Sequence, residues 1–549
     1  MITPDSINRD VVQGNAEQVQ AWLSESGGAT VPLAHLLCDR YAADPTRVAL
    51  RYEDATGNEQ TYTFAELRDT SARFAGVLAG LGVARGDRVA TLLPRSPELI
   101  IACLGLWRLG AAQVPLFTAF GPQAVTYRLA HSGAKVVVTD HTNRLKVEPK
   151  DSALRVVTVE GTPGALPAGD VPFWSALGSA APVERPVTVS GDDLLIQIYT
   201  SGTTGQPKGV EVPVRALASF AAYLRFGLDV RDDDVYWNIL DPGWAGGLYY
   251  ALVAPLLLGH PTILVNARFD VQATWRAMGK YGVTNFMASP TLFRAMRAAG
   301  IERATGANPV RLRAASSGGE PLNPEVVAWA ETHFGIPIHD TFGQTELGMA
   351  ICNHHAPGLR RPLRPGSMGH PMPGFRVVVV DSDYQEVGPG QEGQIAIDTT
   401  QSPLYWFRGY YKDAERTAER FGAGRYYLTG DMASRDADGY FYFSGRGDDI
   451  INSSGYRIGP FEVESALVGH PAVAEAAVVG KPDPLRGEVV KAFVVLRPGY
   501  AATADLGTEL GQFVKTRLAA HLYPREIVFV DQLPKTPSGK VQHYLLRGS

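Results

Sequence analysis

From Thr61 to Val138 the sequence alternates amphipathic stretches of helical length with short β-branched runs: AELRDTSARFAGVLAGLG, DRVATLLP, ELIIACLGLWRLG, then KVVVTD. Helices and strands in such quick succession must bury their apolar sides against each other, so the texture predicts layered α/β structure. It returns after Val235, where VYWNI, PTILV, VTNFMA and LRAAS read as strands between segments such as DVQATWRAMGKYG. Between Phe375 and Gly445 the runs RVVVVDS, GQIAID and GYFYFSG, set off by Gly and Pro turns, predict a β subdomain closing the body. Beyond Arg446, EVESALVGH and TELGQFVKTRLAAHL read as helices, and AVAEAAVVG and VVKAFVVL as strands. At 549 residues the chain exceeds what one core serves. We therefore expect a large N-terminal α/β body with its β subdomain over 1–447. A small, mobile α+β domain over 448–549 should follow, joined near Asp448 by a segment short enough to permit rigid-body rotation.

Composition narrows the function classes. Hydrophobic residues at 45% against 19% charged suit a chain folded nearly throughout, and the net charge of -5 lacks the basic surplus that a nucleic-acid partner would favour. Cys38, Cys103 and Cys352 form no CxxC pair, which argues against a metal knuckle or a disulfide framework. The N-terminus lacks the layout of a secretory signal. The longest apolar stretch, Leu99 to Phe117, is broken by Arg108 and Gln113 and reads as a buried helix followed by a strand, not a membrane span. A cytoplasmic location is expected.

The segment Tyr199 to Val210, YTSGTTGQPKGV, follows the apolar run LLIQI. Thr200, Ser201, Thr203 and Thr204 supply hydroxyls, Gly202 and Gly205 let a ligand approach the backbone, and Lys208 brings a positive charge, a combination suited to phosphate oxygens. The spacing is not that of a Walker A loop, so a P-loop NTPase is disfavoured.

Together with SGGEPL, DTFGQTE, YLTGD, GRGDDIINSSGYRIGPFEVE and PKTPSGKVQ in that order, this loop resembles the signature set of the adenylate-forming superfamily, and most closely its short- and medium-chain acyl-CoA synthetases. The resemblance implies ATP, Mg²⁺ and coenzyme A as cofactors and a small carboxylic acid as substrate. It places the β- and γ-phosphates on the hydroxyl loop, Thr345 on the α-phosphate and Glu346 on Mg²⁺. The ribose would meet Asp431 and Arg446. Adenine would lie between Gly318, Gly319, Glu320 and Pro321 on one side and Asp340, Thr341 and Phe342 on the other.

Lys540 resembles the superfamily's catalytic lysine and Asp448 its hinge. Coenzyme A would meet Ser454, Gly455, Tyr456, Arg486, Lys515, Tyr523, Pro524 and Arg525. Gly343 stands where acetate-specific relatives resemble WWQTE, with an indole, so the acyl pocket, with Trp244, Leu347 and Gly348 as further liners, is expected to take acids longer than acetate. An aryl acid of similar length, a stand-alone adenylation enzyme loading a separate carrier (with Asp241 facing an amino group), and a nucleotide-binding scaffold without turnover stay open as alternatives. His543 departs from the IQR of many relatives, with no functional meaning attached.

Overall fold

The computed structural model describes residues 9–148, 153–161, 166–200, 206–267, 270–299, 310–453, 456–519, 522–536 and 540–547. Among the site candidates, Ser201, Gly202, Thr203, Thr204, Gly205, Ser454 and Gly455 lie outside these residues.

The predicted helices form where local signals start them. Thr63 accepts from the Glu66 amide while the Glu66 carboxylate accepts from the Thr63 amide, a reciprocal cap that opens the helix Phe64–Gly80. The apolar stretch after Ser96 divides as expected into the buried helix Pro97–Arg108 and the strand Ala112–Pro115. Arg108 is buried within it because Asp39 accepts from both of its terminal nitrogens, at 2.5 and 3.0 Å.

Among the described residues the body holds two large sheets. The first runs Val171–Pro172, Arg155–Val159, Val136–Asp140, Arg88–Leu92, Ala112–Pro115, Leu194–Thr200, Lys208–Pro213, and is parallel except for its final pair. That last antiparallel pair, with Thr200 opposite Lys208, makes the hydroxyl loop the connection of a hairpin at the sheet edge.

The second sheet begins parallel, with Tyr236–Asn238, Asn285–Ala288, Ala314–Gly318 and Ile338–Gln344 side by side. It then continues antiparallel through Gly348–Cys352, Ser367–Pro371, Phe441–Arg446, Tyr426–Arg435, Glu392–Asp398 and Val377–Val380. The β-rich region is thus an extension of the second α/β sheet, so strands carrying Asp340, Gln344, Asp431 and Arg446 share one hydrogen-bonded surface. The strand Thr262–Val265 joins neither large sheet; it pairs in parallel with Val48–Glu53 in a small separate one.

The sheet membership changes over a few residues. The Gly447 amide still donates to Gly430 O at 2.9 Å, the Asp449 and Ile450 amides turn back onto Arg446 O, and Ile451–Ser453 already belongs to the terminal sheet. That sheet, of Tyr456–Ile458, Ile451–Ser453, Gly487–Leu496, Val473–Asp483 and Glu526–Phe529, packs on the helices Pro460–Val468 and Ala504–Arg517 around its own core. Across the boundary the Arg517 guanidinium donates to Glu325 at 2.8 Å and the Asn323 amide to Ser465 Oγ at 3.1 Å. No helix among the described residues is long and apolar enough to cross a membrane.

Candidate active site

The site forms where the hairpin of the first sheet meets the middle of the second. The Tyr411 amide donates to Gly209 O at 2.8 Å, and this docks the segment around Tyr410 onto the strand Lys208–Pro213. Consequently the Lys208 ammonium stands 4.7 Å from the centre of the Tyr410 ring. The Tyr410 hydroxyl donates to Glu346 Oε1 at 2.8 Å and accepts from Arg420 Nε at 3.2 Å. Arg420 is fixed in turn by donating to Thr429 O at 3.0 Å, beside the strand turn that carries Asp431. Arg416 donates to Gln206 O, at the end of the hydroxyl loop. Burial, and then the neighbouring charge of Arg420, push the Lys208 ammonium below its usual range, with Glu346 opposing.

Tyr410, Arg416 and Arg420 were not singled out in the sequence, where GYYKDAERTAERF looks like an ordinary charged turn and helix. The available signal was a run of cations one helical turn apart, Arg416 and Arg420, downstream of a Gly-Tyr pair.

Glu346 is buried, and its Oε1 is taken by Tyr410. Among the described residues Oε2 has no hydrogen-bond donor, and no group of three or more His, Cys, Asp or Glu side chains could hold a metal. A divalent ion here would therefore complete its shell with water and ligand oxygens, the habit of Mg²⁺ with polyphosphates, and the donor set fits it.

Asp431 lies directly across the ladder from Arg446. Its carboxylate accepts from Gln344 Nε2 at 2.5 Å, and that amide is oriented by donating also to Thr429 O and by accepting from the Tyr427 hydroxyl at 2.8 Å. Burial raises the Asp431 carboxyl, against the lowering charges of Arg446, Lys540 and Arg420. A buried carboxylate with acceptor capacity to spare is suited to a pair of ligand hydroxyls. One of these charges, that of Lys540, comes from an exposed lysine of the terminal unit. Arg446 also reaches Asp448 Oδ1, at 3.5 Å, within the turn where the sheets change over.

Ser317 and Gly318 sit opposite Asp340 and Thr341 on neighbouring parallel strands. Burial pushes the Asp340 carboxyl up to about 8, although it accepts from the Thr341 amide at 3.0 Å. The Ser317 hydroxyl is buried without a partner among the described residues. These groups stand where the adenine is expected. Two side chains assigned to the ring are otherwise engaged: Glu320 binds Arg294 and Thr291, each at 2.8 Å, and the Thr341 hydroxyl donates to Ser317 O and accepts from Tyr223. Any contact from Glu320 would come from its backbone.

Around the expected acyl pocket, glycine is dictated by packing before any substrate is considered. A Cβ on Gly343 would lie 2.2 Å from Gly348 O and 2.7 Å from Met349 Sδ, so an indole there needs a different path for the Gln344 to Met349 turn. Gly348 has φ +73, and a Cβ on it would meet the Tyr250 hydroxyl at 2.8 Å. Leu347 is fully buried. The Tyr249 hydroxyl donates to Thr345 O, and Tyr250 accepts from the Met349 amide, so Phe220, Tyr249 and Tyr250 form an aromatic floor behind this turn. Trp244 packs on Phe117 and Phe120, at 5.3 and 5.6 Å, its indole N–H buried without a partner among the described residues.

The coenzyme A candidates that are described all lie on the terminal unit. Tyr456 and Arg486 flank Ser453, which pairs with both Tyr456 and Gly487. Lys515 is one turn beyond Gly511, against which the Tyr523 ring packs, and the Arg525 guanidinium stands 5.5 Å from that ring while Pro524 is buried. Tyr456, Arg486, Lys515 and Arg525 are exposed.

The model of the AMP-binding enzyme family matches residues 38–411, and that of the AMP-binding enzyme C-terminal domain matches 462–540. An acetyl-coenzyme A synthetase of Bacillus subtilis (strain 168) is 40% identical over 520 residues, covering 94% of this chain and 90% of that protein. The mitochondrial acyl-coenzyme A synthetase ACSM3 of Rattus norvegicus is 37% identical over 519 residues, 91% of this chain and 86% of that protein. A crystal structure of an acyl-CoA synthetase from Brucella canis superposes with a TM-score of 0.77 at 50% identity, covering 97% of this chain and 96% of that one. A benzoate CoA ligase from Burkholderia xenovorans LB400 superposes with a TM-score of 0.81 at 30% identity, covering 94% and 99%.

Proposed function

We infer the chemistry of this chain, which belongs to the AMP-binding enzyme family, from the ring of cations around its two buried carboxylates. It is an AMP-forming acid–thiol ligase that couples ATP to the formation of an acyl-CoA. In the first step the acid's carboxylate oxygen attacks the α-phosphorus of ATP, forming the acyl-adenylate and releasing pyrophosphate. In the second, the thiol of coenzyme A attacks the acyl carbon, the proton leaves the sulfur, and AMP departs.

The observation that carries the assignment of roles is the gathering of cations at the body's buried carboxylates: Arg420 donates to the Tyr410 hydroxyl that binds Glu346, Lys208 stands on the Tyr410 ring, and Arg446 lies across the ladder from Asp431, whose carboxyl the charge of Lys540 also lowers. In-line displacement needs two anions held together, and fixed cations provide the field. We assign the β- and γ-phosphates to Thr200 through Gly205 and Lys208, the α-phosphate to Thr345 and Lys540, and the ribose hydroxyls to Asp431 and Arg446. The adenine goes to the slot between Gly318 to Pro321 and Asp340 to Phe342. Glu346 would hold Mg²⁺ through Oε2, where the ion, when bound, neutralises phosphate charge. We place the domain boundary between 447 and 448, with Asp448 as the hinge, and the coenzyme A set on the terminal unit's exposed face.

For the acid, we propose short- to medium-chain substrates longer than acetate, because glycine occupies position 343. Each further buried methylene contributes about 0.8 kcal/mol, so kcat/KM should rise roughly fourfold per carbon from acetate until the pocket is filled. A second reading, an aryl acid, draws support from the rings of Trp244, Phe117 and Phe120. Acid-dependent ATP–pyrophosphate exchange and CoA-dependent AMP release, measured over straight-chain, branched and aryl acids, test both. Acetate as the best substrate would end the chain-length proposal, and ATP binding without AMP release for any acid would end the ligase assignment.

Tyr410 gives a sharper local test. In Tyr410→Phe the Glu346 carboxylate loses its hydroxyl donor while the fold keeps the ring. Hydrogen bonds to charged groups are worth ~1.5–3 kcal/mol, so acyl-adenylate formation should fall at least tenfold, with partial recovery at high Mg²⁺. An unchanged Mg²⁺ dependence would remove Tyr410 from the site.

A further inference from the structure

Away from the site, guanidiniums from both structural units converge on one cleft. Arg294 and Arg297 lie one turn apart on the helix Pro290–Ala299, and Arg497 follows the strand Gly487–Leu496. With Ala298, Val468 and Ala474 they line a shallow cleft open to solvent. Arg294 is largely engaged, donating to Glu320 and Thr291 at 2.8 Å each and to Asn323 at 3.3 Å. Arg497, which also lines the cleft, is pinned by its amide to Ala472 O and by Nε to Val473 O, and its two terminal nitrogens make no hydrogen bond among the described residues. Arg297 makes no hydrogen bond or ion pair among the described residues.

The surrounding charges do not balance. Among the described residues the carboxylates facing the group are Glu320, taken by Arg294, and Glu325, whose Oε1 is taken by Arg517 at 2.8 Å while Oε2 is buried without a hydrogen-bond partner. Among these residues four guanidiniums answer to two carboxylates. Burial, and then the charge of Arg497, hold Arg297 below its usual range, with Glu325 opposing. A like-charge pair is unfavourable, and the more so when partly desolvated, unless an anion stands between its members. Guanidiniums are planar, weakly hydrated forks that match tetrahedral oxyanions.

We propose that the cleft between the helix Pro290–Ala299 and the strand Gly487–Leu496 binds a small phosphate-type oxyanion, shared by Arg297 of the body and Arg497 of the terminal unit. Because the two arginines belong to different units, the anion binds best when they face each other. By linkage it favours the orientation in which Lys540 lies near Asp431. Arg294, holding Glu320, ties the same cleft to the Gly318 to Pro321 loop.

The test is calorimetric titration of the full chain with inorganic phosphate and, separately, pyrophosphate, at ionic strength matched with chloride. One anion per chain is expected in addition to any bound at the nucleotide loop. Arg297→Gln and Arg497→Gln should each weaken it at least tenfold, and Arg297→Lys by less. Lys208→Ala, which strips a cation from the nucleotide side, should leave it within twofold. Whichever anion binds tighter identifies the source, and binding of either supports the site. No phosphate-specific heat beyond chloride overturns the proposal, as does binding lost in Lys208→Ala but kept in Arg297→Gln and Arg497→Gln. Because the readout is binding, it fails independently of the ligase assignment.

Discussion

Replacing Lys540 by alanine should reduce acyl-adenylate formation ~10²–10³-fold and leave thioester formation from supplied acyl-adenylate within a few-fold of the parent. The lysine's backbone is tied down: the Thr536 amide donates to Lys540 O at 2.7 Å, the Lys540 amide returns to Thr536 Oγ1 at 3.1 Å, and Lys535 pairs with Val541. Lys535 is held to the terminal sheet by Glu475, 2.5 Å away. The side chain itself is exposed and carries no core packing, so its loss should not unfold the unit. What disappears is one preorganised cation beside the phosphate being attacked, and removing one such contact costs about 3–4 kcal/mol of barrier. The second half-reaction requires a thiol on the side the lysine occupies, so it should proceed once the terminal unit has turned about Asp448. Acid-dependent ATP–pyrophosphate exchange reads the first step, and CoA-dependent consumption of synthetic acyl-adenylate reads the second. Equal losses in both would contradict the role given to Lys540.

The contrast between Lys540 and Arg420 shows what the sequence could disclose. Lys540 stands in a motif whose order along the chain is itself information. Arg420 acquires its place only when the strand Tyr426–Arg435 brings the Thr429 carbonyl to it and Tyr410 hands its hydroxyl to Glu346. Local periodicity and capping likewise made the helix Phe64–Gly80 and the strand Val136–Asp140 readable. Pairings between distant segments left no such trace. The partner of Thr262–Val265 is Val48–Glu53, and the buried Glu53 is satisfied by Lys280 and Tyr281, on a helix more than 200 residues away. The merging of the β-rich region with the second sheet was hidden for the same reason, since each strand looks alike whichever neighbour it takes. The hydroxyl loop was the most legible feature by composition, yet its residues 201–205 are outside those described.

Four histidines gathered by that second sheet lead to an expected acid lability. His339, His354, His355 and His370 are spread over three segments, but the pairing of Thr341 with Cys352 and of Cys352 with His370 draws them together. The His339 and His355 rings stack 3.6 Å apart at 10°, with His339 Nδ1–H donating to Asn353 O and His355 Nε2–H to Ala315 O. His354 lies between Phe226 O, Pro371 O and Cys352 Sγ, and His370 packs on Tyr440. Burial pushes His339, His354 and His370 down to about 4 and holds His355 well below its usual range, helped by Arg360 and Arg361, while Asp436 opposes at His370. The unfolded chain binds these protons near 6.5, so the folded state's advantage is complete above that pH and is lost as pH falls toward 4.

Each such histidine removes about 1.4 kcal/mol per pH unit in that window. Asp340, pushed up to about 8, works the other way, because the native state then holds a proton the unfolded chain does not bind until near 3.8. Between about pH 6 and 5 the group should thus cost a net ~3–4 kcal/mol per unit, a large share of the roughly 5–15 kcal/mol typical of a folded protein. A chain with several cores need not unfold in one step, so the local readout is hydrogen exchange in the strands Ile338–Gln344 and Gly348–Cys352. Their protection should fall steeply below about pH 6.5. His355→Gln, which can still donate to Ala315 O, should flatten the slope by about one proton's worth. Protection that stays level from about pH 7 to 5 would show that these imidazoles take up their protons without opening the sheet.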